Sequence, residues 1–362
     1  MSDMSPLFTP LRAGNLMLPN RVLMAPLTRN RAPADGTPAR MAETYYAQRA
    51  SAGLIVSEAT QVSPMGKGYI DTPGIHEQAH ADAWARIVEA VHAAGGRIVL
   101  QLWHVGRISH SSLLPGGAAP VSASAVRAES KTFTANGFEP CSPPEALSLD
   151  GIARTLDDYE TAARLAKAAG FDGVEVHGAN GYLLDQFLQD GVNRRDDAYG
   201  GSVENRMRLL REVVERVSSV FDPGDVGVRL SPLGQANDIS DSDPEGLFSA
   251  VIDMLSGRGL AYLHLIEEFY GADTTDADRD MLRRLRGRFD GVYFGNGGYD
   301  GARAAAAIRE GGADAIAFGR PFIANPDLPE RFRRGAALTP PDQDTFYGGD
   351  ETGYTDYPFL DR

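Results

Sequence analysis

The chain has 362 residues, 43% of them hydrophobic and 23% charged, so it can bury a large core and has a charged fraction that is ordinary for a globular protein. Its formal net charge of −14 excludes a generally basic surface, and we therefore predict no binding to nucleic acid or to an anionic membrane. The single cysteine, Cys141, excludes an intramolecular disulfide, and the seven histidines show no zinc-ligand spacing, so we predict no metal site.

The first residues show no basic segment followed by an apolar run, and no stretch approaches the length of a membrane span. We therefore expect no signal peptide and a cytoplasmic protein.

Eight short runs of β-branched and other apolar residues predict eight strands, and most of them follow a glycine that is typical of a helix end. The runs are 22–24, 54–56, 97–100, 174–176, 226–230, 260–265, 292–294 and 315–318. Stretches with helical periodicity lie between them, at 38–52, 79–94, 150–169, 204–221 and 300–310. Eight alternating units predict an α/β fold, a closed (β/α)8 TIM barrel that forms one domain over residues 1–362. The alternative is an open doubly wound sheet, which predicts a glycine-rich turn after the first strand, but Ala25-Pro26-Leu27-Thr28 stands there.

The third strand leads into Gln101-Leu102-Trp103-His104. In such barrels the chemistry lies at the C-terminal ends of the strands, where a glutamine can pair with a ring imide. A solvated glutamine at a strand end is the simpler interpretation of this residue taken alone. The segment 103–148 that follows is the longest stretch without periodicity, and its length predicts a lid or a binding loop.

The fourth strand leads into His177, Asn180 and Tyr182. Histidine and asparagine can donate hydrogen bonds to one carbonyl oxygen and stabilise the negative charge that develops on it. Tyrosine can deliver a proton to a carbon atom nearby. Each of the three residues alone is typical of an ordinary turn, but together they predict a site. Arg229 follows in the fifth strand, and a buried arginine predicts a negatively charged ligand group.

The seventh and eighth strands are followed by Gly297-Gly298 and by Gly319-Arg320. Glycines in these loops leave backbone N–H groups free to bind a phosphate, and Arg320 can hold it through two hydrogen bonds. Ordinary turns are the alternative, but two glycine-opened loops and one arginine favour a ligand that carries a phosphate.

Long motifs along the chain resemble the Old Yellow Enzyme family, and within it the bacterial branch of N-ethylmaleimide, nitrate-ester and enone reductases. The resemblance extends from Leu7 to Pro358. Its motifs are the segments 20–22, 25–29, 101–107, 170–175, 177–183, 199–202, 204–206 and 318–326.

The resemblance implies an N-terminal β-hairpin, residues 7–20, that closes the bottom of the barrel. It also implies non-covalently bound FMN, with NADPH or NADH as the hydride donor. The residues that it places against the flavin are Ala25, Pro26, Leu27, Thr28, Ala59, Gln101, Arg229, Gly297, Gly298, Gly319 and Arg320. His177 and Asn180 would bind the substrate oxygen, Tyr182 would donate the proton, Thr28 would act beside the reacting part of the flavin, and Tyr69, Trp103 and Tyr347 would form the pocket walls.

The implied reaction is the reduction of an activated C=C bond in an enone, a maleimide or a nitroalkene, with nitrate esters and nitro compounds as further substrates. Hydride from flavin N5 and a proton from Tyr182 would add in trans. The stretch 189–198 departs from the pattern of the relatives, and 127–143 and 267–278 look variable, so the preferred substrate is not predicted. We expect a monomer or a weak homodimer.

Two other functions stay open at the level of the sequence. An FMN barrel that oxidises 2-hydroxy acids or dihydropyrimidines needs a different base, often a histidine late in the barrel or a Cys or Ser in a lid loop. No histidine follows His264, which argues against the first of these bases. A catalytically idle flavin-binding protein is the second alternative, and the intact set of His177, Asn180 and Tyr182 argues against it.

Overall fold

A computed structural model describes residues 3–269 and 273–361, and a closed ring of parallel strands forms its centre. Residues 270–272 lie outside the described part of the chain, and with them part of the segment 267–278 that the sequence indicated as variable. The strands are β1 (Leu11–Ala13), β2 (Leu16–Leu18), β3 (Val22–Met24), β4 (Ile55–Val56), β5 (Thr60–Gln61), β6 (Ile98–Trp103), β7 (Val121–Ser122), β8 (Lys131–Thr134), β9 (Gly137–Pro140), β10 (Glu145–Ala146), β11 (Gly173–His177), β12 (Val226–Leu230), β13 (Tyr262–Ile266), β14 (Tyr293–Asn296) and β15 (Ala315–Phe318). The helices are α1 (Met41–Ala47), α2 (Gln78–Ala93), α3 (Leu149–Ala168), α4 (Leu183–Leu188), α5 (Val203–Arg206), α6 (Arg208–Ser218), α7 (Pro244–Leu255), α8 (Asp276–Arg286), α9 (Gly301–Arg309), α10 (Arg320–Ala324) and α11 (Leu328–Arg334).

Eight of the strands close the ring in the order β3, β4, β6, β11, β12, β13, β14, β15 and back to β3. The closing pairs include Ile316 with Val22 and Glu175 with Gln101, and every neighbouring pair in the ring is parallel. At least one helix separates each ring strand from the next, and the eight strands lie where the sequence predicted them. The predicted (β/α)8 barrel is therefore confirmed.

Two of the predicted helices were wrong in their extent. The stretch 204–221 forms two helices, α5 and α6, which are separated at Met207. The junction residue Met207 has φ −83° and ψ −4°, and Arg206 before it is buried and forms an ion pair with Asp241. The stretch 38–52 forms only α1, because the chain turns after Ala47 and brings the Gly53 N–H to the carbonyl of Val22 at 2.9 Å.

The N-terminal hairpin of β1 and β2 closes the bottom of the barrel, as the resemblance implied. Its turn requires glycine, because Gly14 has φ +58° and a Cβ atom there would lie 2.2 Å from the carbonyl oxygen of Gly224. Gly224 precedes β12, so the hairpin lies at the N-terminal ends of the strands. Leu16 and Leu18 are buried in a cluster that includes Leu23 inside the barrel. The opposite end of the barrel is left open for ligands.

The excursion after the third ring strand has structure of its own. Trp103 still belongs to β6, so the excursion begins one residue later than predicted. It contains an antiparallel hairpin, β8 and β9, in which the rings of Phe133 and Phe138 lie 5.0 Å apart. The N–H of Ile70 binds the carbonyl of Phe133 at 3.0 Å and ties this hairpin to the loop after β5. The hairpin is therefore held over the open end of the barrel.

In the described part of the chain, no helix is long and apolar enough to cross a membrane. Over residues 3–269 and 273–361, no group of three or more His, Cys, Asp or Glu side chains is arranged to hold a metal ion.

Candidate active site

Three adjoining cavities at the C-terminal ends of the strands bring the predicted residues together. The small cavity has a volume of about 80 Å³ and is lined by Pro26, Thr28, Ala59, Gln101, Trp103, His177, Asn180, Tyr182 and Arg229. The long cleft, of about 560 Å³, is lined by residues that include Ala25, Pro26, Leu27, Arg229, Glu268, Gly297, Gly298, Gly319 and Arg320. The aromatic cavity, of about 380 Å³, is lined by Thr28, Asn30, Tyr69, Phe133, Phe138, Tyr182 and Tyr347. Every site residue predicted from the sequence therefore lines one of the three, and shared residues join them.

A still larger recess, of about 630 Å³, lies beside the loops that follow β12 and β13. None of the predicted site residues lines it. We therefore place the chemistry in the three cavities above, where polar side chains from several strands converge.

His177 ends strand β11 and is buried in the small cavity, where its charge state follows from its surroundings. Burial first, and the positive charge of Arg229 second, lower the pKa of His177 to about 3. The ring is therefore neutral at physiological pH. Its Nδ1 accepts a hydrogen bond from the backbone N–H of Ala179 at 3.3 Å, so Nε2 carries the proton. His177 can consequently donate one hydrogen bond to a ligand without carrying a charge.

Asn180 stands in a turn that its neighbours hold tightly. Its φ is +61°, a conformation that asparagine tolerates better than most residues. The backbone N–H of Asn180 binds Oγ of Ser231 at 2.8 Å, and the N–H of Gly181 binds Oδ2 of Asp185 at 2.8 Å. The side chain of Asn237 donates to the Asn180 carbonyl at 2.9 Å. Three residues, Ser231, Asp185 and Asn237, therefore hold the turn that carries Asn180 beside His177.

Tyr182 lies between three aromatic rings. Its ring centroid is 5.1 Å from that of Trp103 and 5.2 Å from that of His177, both edge to face. Its hydroxyl oxygen is 3.2 Å from the hydroxyl oxygen of Tyr69, which also stacks on Trp103. Burial raises the pKa of both phenols, so each keeps its proton at neutral pH. The pairing of Tyr69 with Tyr182 was not predicted from the sequence.

Inside the barrel, beneath the small cavity, lies a group of buried polar residues. Gln101 donates from Nε2 to Oε1 of Glu175 at 2.7 Å, and His264 Nδ1 lies 2.8 Å from Oε2 of the same carboxylate. Arg229 donates to Oδ1 of Asn296 at 2.7 Å, while its buried Nε has no hydrogen-bond partner among the described residues. The sequence did not assign Glu175 or His264 to the site. One sequence feature could have pointed to Glu175, namely a carboxylate two residues before His177 in a strand that is fully buried in the structure.

The loops after β14 and β15 form one end of the long cleft. Gly297 has φ +120°, and a Cβ atom on it would lie 2.4 Å from the carbonyl oxygen of Glu268. Beyond β15, a Cβ atom on Gly319 would meet only Leu27, at 3.4 Å, so the backbone there is open to the cleft. Helix α10 begins at Arg320, which places a guanidinium at this end of the cleft beside the open backbone of Gly319. This end can therefore bind an anionic group.

Comparison with known proteins agrees with this geometry. Residues 6–339 match the model of the NADH:flavin oxidoreductase / NADH oxidase family. The chain is 43% identical over 365 residues to putative 12-oxophytodienoate reductase 11 of Oryza sativa subsp. japonica, with 99% of both chains covered. It is similar to the solved structure of morphinone reductase in complex with tetrahydroNAD, at 53% identity and a TM-score of 0.93, with 98% of each chain covered. It also resembles the Old Yellow Enzyme homologue from Zymomonas mobilis, at 46% identity and a TM-score of 0.94, over 98% of this chain and 99% of that one.

The family match and these similarities span nearly the whole chain. The chain therefore belongs to the NADH:flavin oxidoreductase family that includes Old Yellow Enzyme, and it is a flavin-dependent oxidoreductase that uses a nicotinamide nucleotide.

Proposed function

We propose that the protein is an FMN-dependent ene-reductase: NADPH or NADH reduces non-covalently bound FMN, and the enzyme then reduces the activated C=C bond of a small molecule. One observation carries the proposal. In the small cavity a neutral imidazole N–H from His177, the carboxamide of Asn180 and the protonated phenol of Tyr182 line the same space as Gln101 and Arg229. Two neutral donors and one acid are the groups that reduction of an enone requires.

The residues present fit FMN. The long cleft and the small cavity share Pro26 and Arg229, so a flat ring system can continue from one into the other. The buried Nε of Arg229 lacks a partner among the described residues and is available to a ligand oxygen or nitrogen. We propose that Gln101 and Arg229 bind the pyrimidine edge of the ring. The backbone around Ala25, Pro26, Leu27 and Thr28, with Ala59, would enclose its reacting part.

For the phosphate of FMN we propose Gly297, Gly298, Gly319 and Arg320. Gly319 brings open backbone to the cleft, whereas Gly297 and Gly298 approach Glu268 so closely that a Cβ atom would not fit there. A guanidinium forms strong charge-assisted hydrogen bonds with a phosphate. Glu268 lines the same cleft, but its carboxylate binds Arg303 at 2.9 Å, which offsets its negative charge. The local charge therefore still favours an anion.

When bound, FMN supplies the centre that accepts hydride from the nicotinamide and donates it to the substrate. In our proposal Nε2–H of His177 and the side-chain amide of Asn180 hold the substrate oxygen, which draws electron density away from the β-carbon. Because His177 is neutral, it stabilises developing negative charge without protonating the oxygen. Tyr182 transfers its hydroxyl proton to the α-carbon, and the two hydrogens add in trans. Thr28 borders both the small and the aromatic cavities and would contact the reacting region.

The lining of the aromatic cavity supports the proposal that the substrates are small cyclic or conjugated molecules. Its walls include Tyr69, Phe133, Phe138 and Tyr347, and the hydroxyl pair of Tyr69 and Tyr182 lies at the junction with the small cavity. We propose enones, maleimides and nitroalkenes as substrates, with nitrate esters and nitro compounds as further candidates. We also propose that residues 1–362 act as one domain, as a monomer or a weak homodimer, in the cytoplasm.

The purified protein tests the cofactor assignment. We expect it to be yellow and to release FMN, not FAD, on acid denaturation. Arg320→Ala should weaken FMN binding by roughly tenfold or more, since charge-assisted phosphate bonds are lost. The matched control is Arg309→Ala, which removes an exposed arginine on α9 that binds Asp3 and should leave FMN affinity unchanged. A colourless protein that FMN cannot restore would refute the proposal.

The reaction is tested by anaerobic mixing. NADPH or NADH should bleach the flavin, and cyclohexenone should restore the colour with formation of cyclohexanone. A panel of enones, maleimides, nitroalkenes and nitrate esters then ranks the substrates. If the nicotinamide bleaches the flavin but no member of the panel reoxidises it, the assignment of the flavin site holds and the assignment as an ene-reductase is refuted.

A further inference from the structure

The buried group beneath the small cavity contains a carboxylate with no role in the mechanism above. Glu175 is fully buried inside the barrel and lines none of the three cavities. Its two oxygens bind different residues, Gln101 on one side and His264 on the other. Glu175 therefore reaches the proposed cofactor only through its neighbours.

The charge of this carboxylate follows from those neighbours. Burial alone would raise the pKa of Glu175, but the hydrogen bond from His264, the positive charge of Arg229 and the hydrogen bond from Gln101 outweigh burial and lower it. Burial lowers the pKa of His264, so that ring is neutral and donates through Nδ1–H. Glu175 is therefore ionised and can only accept hydrogen bonds.

The Glu175 carboxylate, which can only accept hydrogen bonds, decides which way the side-chain amide of Gln101 faces. The amide NH2 group must face Glu175, because the amide oxygen would meet the carboxylate with like partial charge. The amide oxygen of Gln101 is then the atom left for a ligand in the small cavity. An imide ring edge presents one N–H between two carbonyls, and that N–H needs such an acceptor.

The same negative charge acts on Arg229. The arginine is buried, and Glu175 is the first opposing charge that raises its pKa against the effect of burial. Arg229 lies on the neighbouring strand β12, two residues beyond Gly227, the residue paired with Glu175. Part of the positive charge of Arg229 is therefore offset before any ligand binds. Inside a protein such charges interact more strongly than in water.

We propose that Glu175 is a positioning residue of the flavin site. It holds Gln101 with its amide oxygen toward the flavin imide, and it limits how strongly Arg229 stabilises the reduced, negatively charged flavin. The inference rests on the proposed function, which places the pyrimidine edge of FMN against Gln101 and Arg229.

The test is Glu175→Gln, which keeps the size of the side chain and removes its charge. We expect binding of reduced FMN to strengthen at least tenfold relative to oxidised FMN. For a two-electron couple, each tenfold change in the affinity for reduced FMN relative to oxidised FMN shifts the midpoint potential by about 30 mV, here in the positive direction. The matched control is Asp241→Asn, which neutralises another buried carboxylate that pairs with an arginine, Arg206. It should lower thermal stability and leave the potential unchanged.

The outcomes separate the inference from the function on which it rests. If the unmodified protein does not bind FMN, the proposed function fails. If Glu175→Gln binds FMN at the parent potential, the positioning role fails and the function stands. Should Glu175→Gln not fold, Glu175→Asp decides, because it keeps the charge but withdraws the oxygens from Gln101. For Glu175→Asp we expect the midpoint potential of the parent protein and at least tenfold weaker binding of oxidised FMN. Binding of oxidised FMN as tight as in the parent protein would overturn the inference.

Discussion

Replacing Tyr182 by phenylalanine separates proton delivery from hydride delivery. The change removes one hydroxyl and keeps the ring, so the edge-to-face contacts with Trp103 and His177 remain. The lost hydrogen bond to Tyr69 at 3.2 Å should cost about 1 kcal/mol of folding stability. The variant should therefore fold and bind FMN like the parent protein.

The kinetic effect should be confined to one half-reaction. Reduction of the flavin by NADPH needs no proton from Tyr182 and should run at nearly the parent rate. Reoxidation by cyclohexenone should slow by roughly 10²- to 10⁴-fold, the usual contribution of a positioned general acid. At 1.36 kcal/mol per tenfold, this is about 3 to 5 kcal/mol of activation free energy. Nitroalkenes should be less affected, because a nitronate can leave and take its proton from water.

Anaerobic stopped-flow absorbance of the flavin measures both steps. Tyr69→Phe is the matched control, since it breaks the same hydrogen bond but leaves the Tyr182 phenol in place, and we expect it to slow reoxidation only a few-fold. If Tyr182→Phe reoxidises as fast as the parent, the reasoning is refuted and Tyr182 is a pocket wall. If Tyr69→Phe shows the large loss instead, Tyr69 is the acid.

Three further predictions concern the oxygen site, the pH dependence and the barrel bottom. Simple phenols should give a long-wavelength charge-transfer band with the oxidised enzyme, and the double change His177→Ala with Asn180→Ala should abolish it and slow enone reduction by roughly 10² or more. Burial lowers the pKa of His104 from 6.5 to about 4, so the unfolded state takes the proton first and stability falls as the pH drops through 6.5 toward 4. The free energy of unfolding, measured in urea, should therefore fall by about 2 kcal/mol less in His104→Asn than in the parent protein between pH 7 and pH 5. Equal decreases in the two proteins would contradict this. Leu16→Ala should cost about 2 to 5 kcal/mol of stability and leave the flavin spectrum unchanged, and a changed spectrum would contradict the separation of the hairpin from the site.

The sequence by itself was sufficient for the barrel and for the end of the barrel at which the candidate site residues lie. Strands that are buried on both faces consist mostly of apolar residues, so segments such as 54–56 and 315–318 stand out without any knowledge of their neighbours. A closed parallel barrel brings the ends of all eight strands to one face, which is why residues as distant as Thr28, Gln101 and Arg320 line adjoining cavities. The resemblance to a family then supplied expected roles for these residues.

Only the tertiary structure decided which residues far apart in the chain are in contact and which charge states those residues have. Glu175 and His264 are 89 residues apart and meet because β11 and β13 both flank β12. Tyr69 and Tyr182 are 113 residues apart, and no local pattern indicates that their hydroxyls lie together. The neutral state of His177 depends on burial and on Arg229, and Arg206 at the end of α5 pairs with Asp241, 35 residues further along the chain. Hydrophobic periodicity reports which face of an element is buried, whereas a polar contact inside the barrel depends on which strands become neighbours and in what register.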